Sequence, residues 1–455
     1  MLTEKTKVFL QAVCQEIRWP AAHASIRADL SSQVAEHAEA LMAEGVDAAS
    51  AEEQAIRAMG NAQEIGRQLD KLHRPKLAKK VLILGIMLTI LSLARIIYMA
   101  THGYGLSLLS ILCGLIIGIG GAMIVYFSDY SKWLKWSPIL YAMGAALVVS
   151  ISLVDKIMGQ GWGGVDFYDL WINVYMIAAL FFIAATAGFI ELYRYSGAKG
   201  LVGCGALAIG ATGAIMHGHP SMAVFMFFWY IVLFVLVIHW GYFGSDQKRS
   251  YTLVYGATGT ILFSVVCYVL LHSGKVRLAR MLGLTNFLQF RWQTCWLYQT
   301  LQQAQLIGSA EGSLAENITL DAMYASRLLH KYALLEIIND FGMLAGILVL
   351  GILLLLVYEC WRKLCLVKDH YGKLLGLSAL ALLGGQTLSN VLSTMEIGWN
   401  SLQLPFFSAG GTNMVMSWLL LGVVLSVWRR SSILSEVEPG ARSAEGIDAA
   451  ATEAE

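Results

Sequence analysis

From Val81 to Trp428 the chain repeats one pattern: about ten apolar runs, each near the 20 residues that cross a bilayer as a helix. They fall at 81–100, 105–127, 137–154, 171–192, 200–217, 221–243, 252–271, 333–358, 374–393 and 406–428. A backbone that meets hydrocarbon must satisfy its own hydrogen bonds, so such runs are read as helices. Composition agrees. Only 14% of the 455 residues are charged and 57% are hydrophobic, against roughly 25% charged in soluble proteins. The expected fold class is all-α, a polytopic membrane protein with a small helical bundle in front of it. The formal net charge of +1 supplies no electrostatic footprint for nucleic acid, and none is expected as a partner.

Charge orients the runs. Lys71, Arg74, Lys76, Lys79 and Lys80 precede the first, and basic pairs fill alternate loops: Lys132 and Lys135, Arg194 and Lys199, Lys248 and Arg249. Arg362, Lys363, Lys368 and Lys373 follow the eighth run, and Arg429 and Arg430 follow the last. The positive-inside rule then places both termini in the cytoplasm. The exception is the external loop at about 272–331, which is basic yet long enough to escape the rule. Its first half, KVRLARMLGLTNFLQFRW, mixes cations with large apolar residues, a composition suited to a helix lying in the interface.

Residues 1–79 form a separate expected domain, cytoplasmic and helical. Ile26, Leu30, Val34, Ala38 and Leu41 recur at three- and four-residue steps. Gly45 and Gly60 act as stops, Ser50 with Glu53 and Asn61 with Glu64 read as capping boxes, and Ile65, Leu69 and Leu72 share a face. Residues 80–430 form the membrane domain. Residues 431–455, rich in Glu and Asp, read as a disordered tail. Seven scattered cysteines offer no disulfide framework. His217 and His219 make half a metal site at best, and Cys360 with Cys365 lacks a second pair, so no metal is expected. No cofactor motif is present, and nothing resembles an ATP-binding loop.

The second half carries a resemblance. Tyr298-Gln299 precedes LQQAQLIGSAEG with Gly308 and Gly312; Phe341-Gly342 opens the eighth run, with Gly346 beyond; Gln386 and Asn390 stand four apart in the ninth; LPFFSAGG occupies 404–411. In these features the chain resembles the FtsW/RodA/SpoVE family of shape, elongation, division and sporulation proteins, which share the ten-span layout and the long external loop. The resemblance is good from about 270 to 430 and topological from 80 to 270. The N-terminal part separately resembles permease-prefix domains, through CQEIRWPAAHASIRADL and MGNAQEIGRQLDKLHRPK.

What the first resemblance implies is peptidoglycan synthesis in growth, division or sporulation, with lipid-linked precursor as ligand and a single-span penicillin-binding protein as partner. Active members use an external aspartate eleven residues before the glycine that opens span eight. Here that position is Lys331, and an ammonium has three donors and no acceptor for a proton. The family's acidic pair before the glycine is Asn339 and Asp340 here, and Ala409 replaces its signature tyrosine. The expectation is therefore a non-catalytic or altered member that binds precursor or a wall-synthesis partner. Two alternatives stand beside it. One is an active glycosyltransferase with a relocated carboxylate, Asp321, Glu316 or Glu311; the other is a lipid translocase or transporter.

The candidate ligand-binding residues are Lys275, Arg277, Arg280, Tyr298, Gln299, Lys331, Asp340, Gln386, Asn390, Ser408, Gly410 and Gly411. Each has a plain structural reading too. Basic residues contact anionic headgroups unselectively, Gln386 and Asn390 bond between helices, and the glycines let backbones approach. Arg95, near the outer end of span one, reads first as a snorkelling side chain and second as one facing the bundle. Glu336 and Asp340 are intramembrane carboxylates, functional by default unless solvated at the surface.

Overall fold

The computed structural model describes residues 4–19, 23–72, 78–101, 108–158, 165–216, 218–244, 246–272, 301–309, 332–394, 402–408 and 411–431. Described elements are helical, as the hydropathy pattern requires. They sort into two compact units, Met1–Ala78 with Leu366–Asp369 and Val427–Glu455, and Lys79–Cys365 with His370–Ser426.

In the first unit, α1 (Glu4–Gln15), α2 (His23–Ala43), α3 (Ala48–Met59) and α4 (Ala62–Leu72) bury a shared apolar core. The expected stripe of α2 faces inward: Ile26, Leu30, Val34 and Ala38 are buried, and Leu41 packs beside them. Helix α1 was not singled out by the periodicity argument, yet it supplies Phe9, Leu10 and Val13 to the core. Gly45 and Gly60 take φ of 92° and 96°, the left-handed stops anticipated for them. Asn61 caps α4, its side-chain oxygen accepting from the Gln63 N–H at 2.9 Å. The Ser50–Glu53 box does not form, because α3 already begins at Ala48 and Ser50 lies inside it. Glu53 instead accepts from Lys5 Nζ at 2.7 Å, and that hydrogen bond, with the nearby charges, holds its carboxyl below the usual range.

Gly66 is where α1 and α4 meet. A Cβ there would lie 2.7 Å from the Val13 carbonyl oxygen and 2.7 Å from Glu16 Cβ. A fragment of residues 1–79 is expected to give a helical circular dichroism spectrum with a cooperative melt. Gly66→Leu should cost it about 1–3 kcal/mol by overpacking, and an unchanged melting temperature would show that α1 and α4 do not pack closely.

The second unit holds α5 (Lys79–Thr101), α6 (Leu108–Phe127), the short α7 (Tyr130–Trp133), α8 (Ser137–Met158), α9 (Val165–Leu192), α10 (Gly197–Met216), α11 (Pro220–His239) and α12 (Gln247–His272). It continues through α13 (Ala333–Phe341), α14 (Met343–Cys365), α15 (His370–Thr394) and α16 (Gly411–Arg430). Among the described residues eight helices are long and apolar enough to cross a membrane, and α6 contributes a shorter apolar helix. All ten anticipated runs are occupied by helix, and the protein is an all-α polytopic membrane protein.

Two of those runs are not single helices. The eighth breaks at Gly342 (φ 93°) into α13 and α14, and α14 then runs on to Cys365 through residues assigned to a loop. The tenth begins at Gly411, because 404–408 form a buried turn in which Phe406 takes φ 65°. The interfacial segment within 272–331 and the acidic tail lie outside the described residues, apart from Ser431 at the tail's start and 301–309 in the loop.

Candidate functional site

The break at Gly342 strips α13 and α14 of helical partners, and a second segment restores them. Residues 305–308 run alongside: Gly308 N–H donates to the Phe341 carbonyl (3.3 Å), Met343 N–H to Gln305 (2.9 Å) and Leu344 N–H to Leu306 (3.2 Å). Non-helical backbone at membrane depth is tolerated where protein satisfies it in this way. Gly342 is required twice, by its φ and because a Cβ would lie 2.8 Å from the Leu306 carbonyl oxygen. A half-helix ending at such a break is a common way to present side chains inside a bundle. Here α13 presents Glu336, Asn339 and Asp340, all buried.

Glu336 pairs with Arg95 of α5, 241 residues away in sequence, and both side chains are almost fully enclosed, at 1% and 3% exposure. The snorkelling reading of Arg95 is therefore wrong. Its position on α5 points into the bundle, where a carboxylate and a carbonyl replace water. The second guanidinium nitrogen donates to the Phe407 carbonyl. One turn earlier, Ser92 Oγ donates to the Phe406 carbonyl at 2.6 Å.

The turn they hold is the LPFF segment, and α15 and α16 hold it from the other sides. Asn390 Nδ2 donates to the Leu402 carbonyl (3.1 Å) and the Leu402 N–H to Ser389 Oγ (3.1 Å). Asn413 Nδ2 donates to the Leu404 carbonyl (2.8 Å), and the Phe406 N–H to Ser417 Oγ (3.0 Å). The strained φ of Phe406 persists because its surroundings over-determine it. Its ring meets Trp418 edge-on at 6.0 Å.

The structure thus brings two of the candidate residues, Asn390 and Ser408, to this turn, and places Asp340 on α13 and Gly411 at the start of α16. Asp340 is buried, against its reading as a solvated surface carboxylate, and accepts from Asn339 Nδ2 at 3.0 Å. Asn390 is a turn-holding donor. Gly411 opens α16 where α6 crosses it; a Cβ on Gly114 would lie 2.3 Å from the Gly411 carbonyl oxygen, which is the close backbone approach anticipated for this glycine. Gln386, one turn from Asn390, is also buried, its Nε2 4.0 Å from Met176 Sδ. Among the described residues no partner lies within bonding distance of Gln386 Oε1, Ser408 Oγ or Glu336 Oε1.

Lys275, Arg277, Arg280, Tyr298, Gln299, Lys331, Gly410 and the fallback carboxylates Glu311, Glu316 and Asp321 lie outside the described residues, as does His217. His219 is the N-cap of α11, accepting from Met222 N–H at 3.3 Å. Among the described residues no group of three His, Cys, Asp or Glu side chains is placed to hold a metal.

Reading the sequence alone missed Ser92, Asn413 and Ser417, and the pairing of Arg95 with Glu336. A signal was there for the pair: two opposite charges inside apolar runs are expensive apart. Separately, α8, α9, α15 and α16, with Val125 of α6 and Trp133 of α7, line a half-open apolar pocket of about 370 Å³ that includes Phe181, Leu382 and Leu419, with Ser378 as its one hydroxyl.

No protein-family model matches the chain. A probable peptidoglycan glycosyltransferase FtsW of Trichlorobacter lovleyi is 22% identical over 325 residues, covering 69% of this chain and 81% of that protein. A second, from Halomonas elongata and of the same name, is 23% identical over 334 residues, covering 70% and 78%. Among solved structures, a chain from a peptidoglycan synthase complex that coordinates polymerization and crosslinking superposes with a TM-score of 0.55. It covers 77% of this chain and 97% of its own length at 14% identity, a likeness of fold. With relatives matched over most of both chains, a shared fold, and motif residues between 341 and 411 gathered near one buried turn, the chain is similar to proteins of the FtsW/RodA/SpoVE family.

Proposed function

We propose that this protein acts in bacterial cell-wall synthesis by engaging the lipid-linked precursor of peptidoglycan within the membrane. The observation that carries the reading is the buried polar network in which Arg95 pairs with Glu336 and Ser92, Arg95, Asn390 and Asn413 hold the carbonyls of the 402–407 turn, an arrangement of donors and acceptors inside the bundle suited to a sugar or amide ligand. The apolar pocket between α8, α9, α15 and α16 suits the chain of such a lipid. The relatives' name supports one reaction class: a sugar hydroxyl of one precursor attacks the anomeric carbon of another, the bond from that carbon to its lipid pyrophosphate breaks and the lipid pyrophosphate leaves, and a general base takes the hydroxyl proton.

Two finer readings divide on that base. Lys331 at the family's aspartate position favours binding without polymerisation. The relatives' name, with Glu311, Glu316 and Asp321 in the same loop, favours a polymerase with a relocated base. The charge pattern supports an outward-facing loop and cytoplasmic termini, and a single-span crosslinking partner of the penicillin-binding type fits the complex in which the similar fold occurs.

Purified protein in lipid is incubated with lipid-linked precursor, and polymer and saturable binding are measured separately. Binding without polymer is the expected result. A base contributes about a hundred- to ten-thousand-fold in rate, so robust polymer abolished by Asp321→Asn, Glu316→Gln or Glu311→Gln would establish the relocated-base enzyme. Absence of both binding and polymer would remove the proposal.

A further inference from the structure

Helices α10 and α12 both lean on α11 but leave a gap between them. The gap is a groove of about 280 Å³, lined by Gly205, Thr212, Phe227, Phe234, Val254 and Ile261 among others. It lies apart from the polar network and the pocket described above, and shares no lining residue with either. Helix α12 touches its neighbours along a narrow stripe, with Val254, Thr258 and Ile261 half-buried and Leu253, Ala257 and Phe263 exposed.

The groove has one polar end. Its lining begins at Leu201 on α10 and Leu253 on α12. Exposed Lys199 precedes the first by half a turn, and exposed Lys248 and Arg249 precede the second by about one turn. Exposed Asp246 stands just before α12 and caps it, accepting from the Arg249 N–H at 3.2 Å. Both helices start at this end, so their positive dipole ends add to the cations. Along α10 and α12 the lining extends roughly 12–17 Å at 1.5 Å per residue, about half of the 30 Å hydrocarbon core. The groove therefore spans one leaflet.

The polar end decides between occupants. Three exposed cations stand at one end of an otherwise apolar groove, which complements an anionic headgroup carrying an acyl chain and has no counterpart in an apolar transmembrane helix. We infer that the α10–α12 groove is a binding site for one acyl chain of an anionic phospholipid, its headgroup phosphate held by Lys199, Lys248 and Arg249. By the charge rule this is the cytoplasmic leaflet, where anionic headgroups meet basic pockets between helices. The inference does not depend on how the protein handles wall precursor.

The test uses the full chain in detergent with phosphatidylglycerol bearing a photoactivatable group in one acyl chain, and with phosphatidylcholine of the same chains. Crosslinked peptides should fall within 201–212 and 253–261, with phosphatidylglycerol labelling about tenfold over phosphatidylcholine. The triple change Lys199→Ala, Lys248→Ala, Arg249→Ala should bring the two lipids to equal labelling without altering the melting temperature. Gly205→Leu should cut labelling by both lipids severalfold; a Cβ at Gly205 meets nothing within 4 Å, so the added side chain enters open space. Should that variant fail to fold, the crosslink map and the surface triple variant decide. Adducts elsewhere, equal labelling of wild type by the two lipids, or a preference that survives the triple change would each overturn the inference. A dimer in light scattering that Gly205→Leu makes monomeric would assign the groove to a second copy instead.

Discussion

Arg95→Ala is expected to destabilise the detergent-solubilised chain by about 3–5 kcal/mol, the cost of leaving a buried charge without its partner. Two groups lose their donor at once: the Glu336 carboxylate, 1% exposed, and the Phe407 carbonyl. Glu336→Ala should cost less. Arg95 would keep the Phe407 carbonyl, and its position within about two turns of the α5 terminus lets the guanidinium reach toward the interface. Arg95→Lys should fall between wild type and alanine, because a single ammonium cannot reproduce a two-pronged fork to a carboxylate and a carbonyl. The double variant Arg95→Met with Glu336→Leu should recover much of the loss, since replacing both ions with apolar side chains removes the desolvation cost. Chemical denaturation of the four proteins measures this directly. A double variant no more stable than Arg95→Ala would mean that the two charges do not interact.

Gly342→Leu should lower stability by at least about 3 kcal/mol, combining left-handed backbone strain with overpacking. The obstruction is main chain, the Leu306 carbonyl oxygen at 2.8 Å and Ile307 Cα at 2.9 Å, so no rotamer change relieves it. Losing the 305–308 contact also bares the Phe341 carbonyl and two amides at the helix break. Gly351→Leu, nine residues on, is the control. It lies mid-helix in α14 with nothing within 4 Å of a Cβ, and should be neutral or slightly stabilising through helix propensity. Thermal unfolding of both variants compares them on one span. Equal melting temperatures would show that the break at Gly342 is not pinned by 305–308.

The spans were legible because hydrocarbon leaves the backbone a single economical answer, and a run of apolar residues announces it without reference to partners. The α2 stripe and the stops at Gly45 and Gly60 were legible for a similar reason, since 3.6-residue periodicity and left-handed glycine are local properties. The motif residues 404–408 were visible as a string, but not as a turn. Their apolar character looked like the start of span ten, and what unwinds them is outside the string: Ser92 and Arg95 from α5, and Asn390, Asn413 and Ser417 from α15 and α16.

Gly342, Gly346 and Gly351 are alike to the sequence, each a glycine in an apolar run, yet only the first breaks the helix. The difference is the 305–308 segment, which offers hydrogen bonds that compete with the helical ones at that point alone. Arg95 shows the same limit. Its charge and depth are sequence properties, but whether it reaches for water or for a partner depends on which face α5 turns to the bundle. Glu336, 241 residues away, waits there. Local hydrogen bonding and burial made the helices predictable one at a time. The polar network around the 402–408 turn exists only where several of them meet, because Ser92, Arg95, Asn390 and Asn413 each find an acceptor on another element.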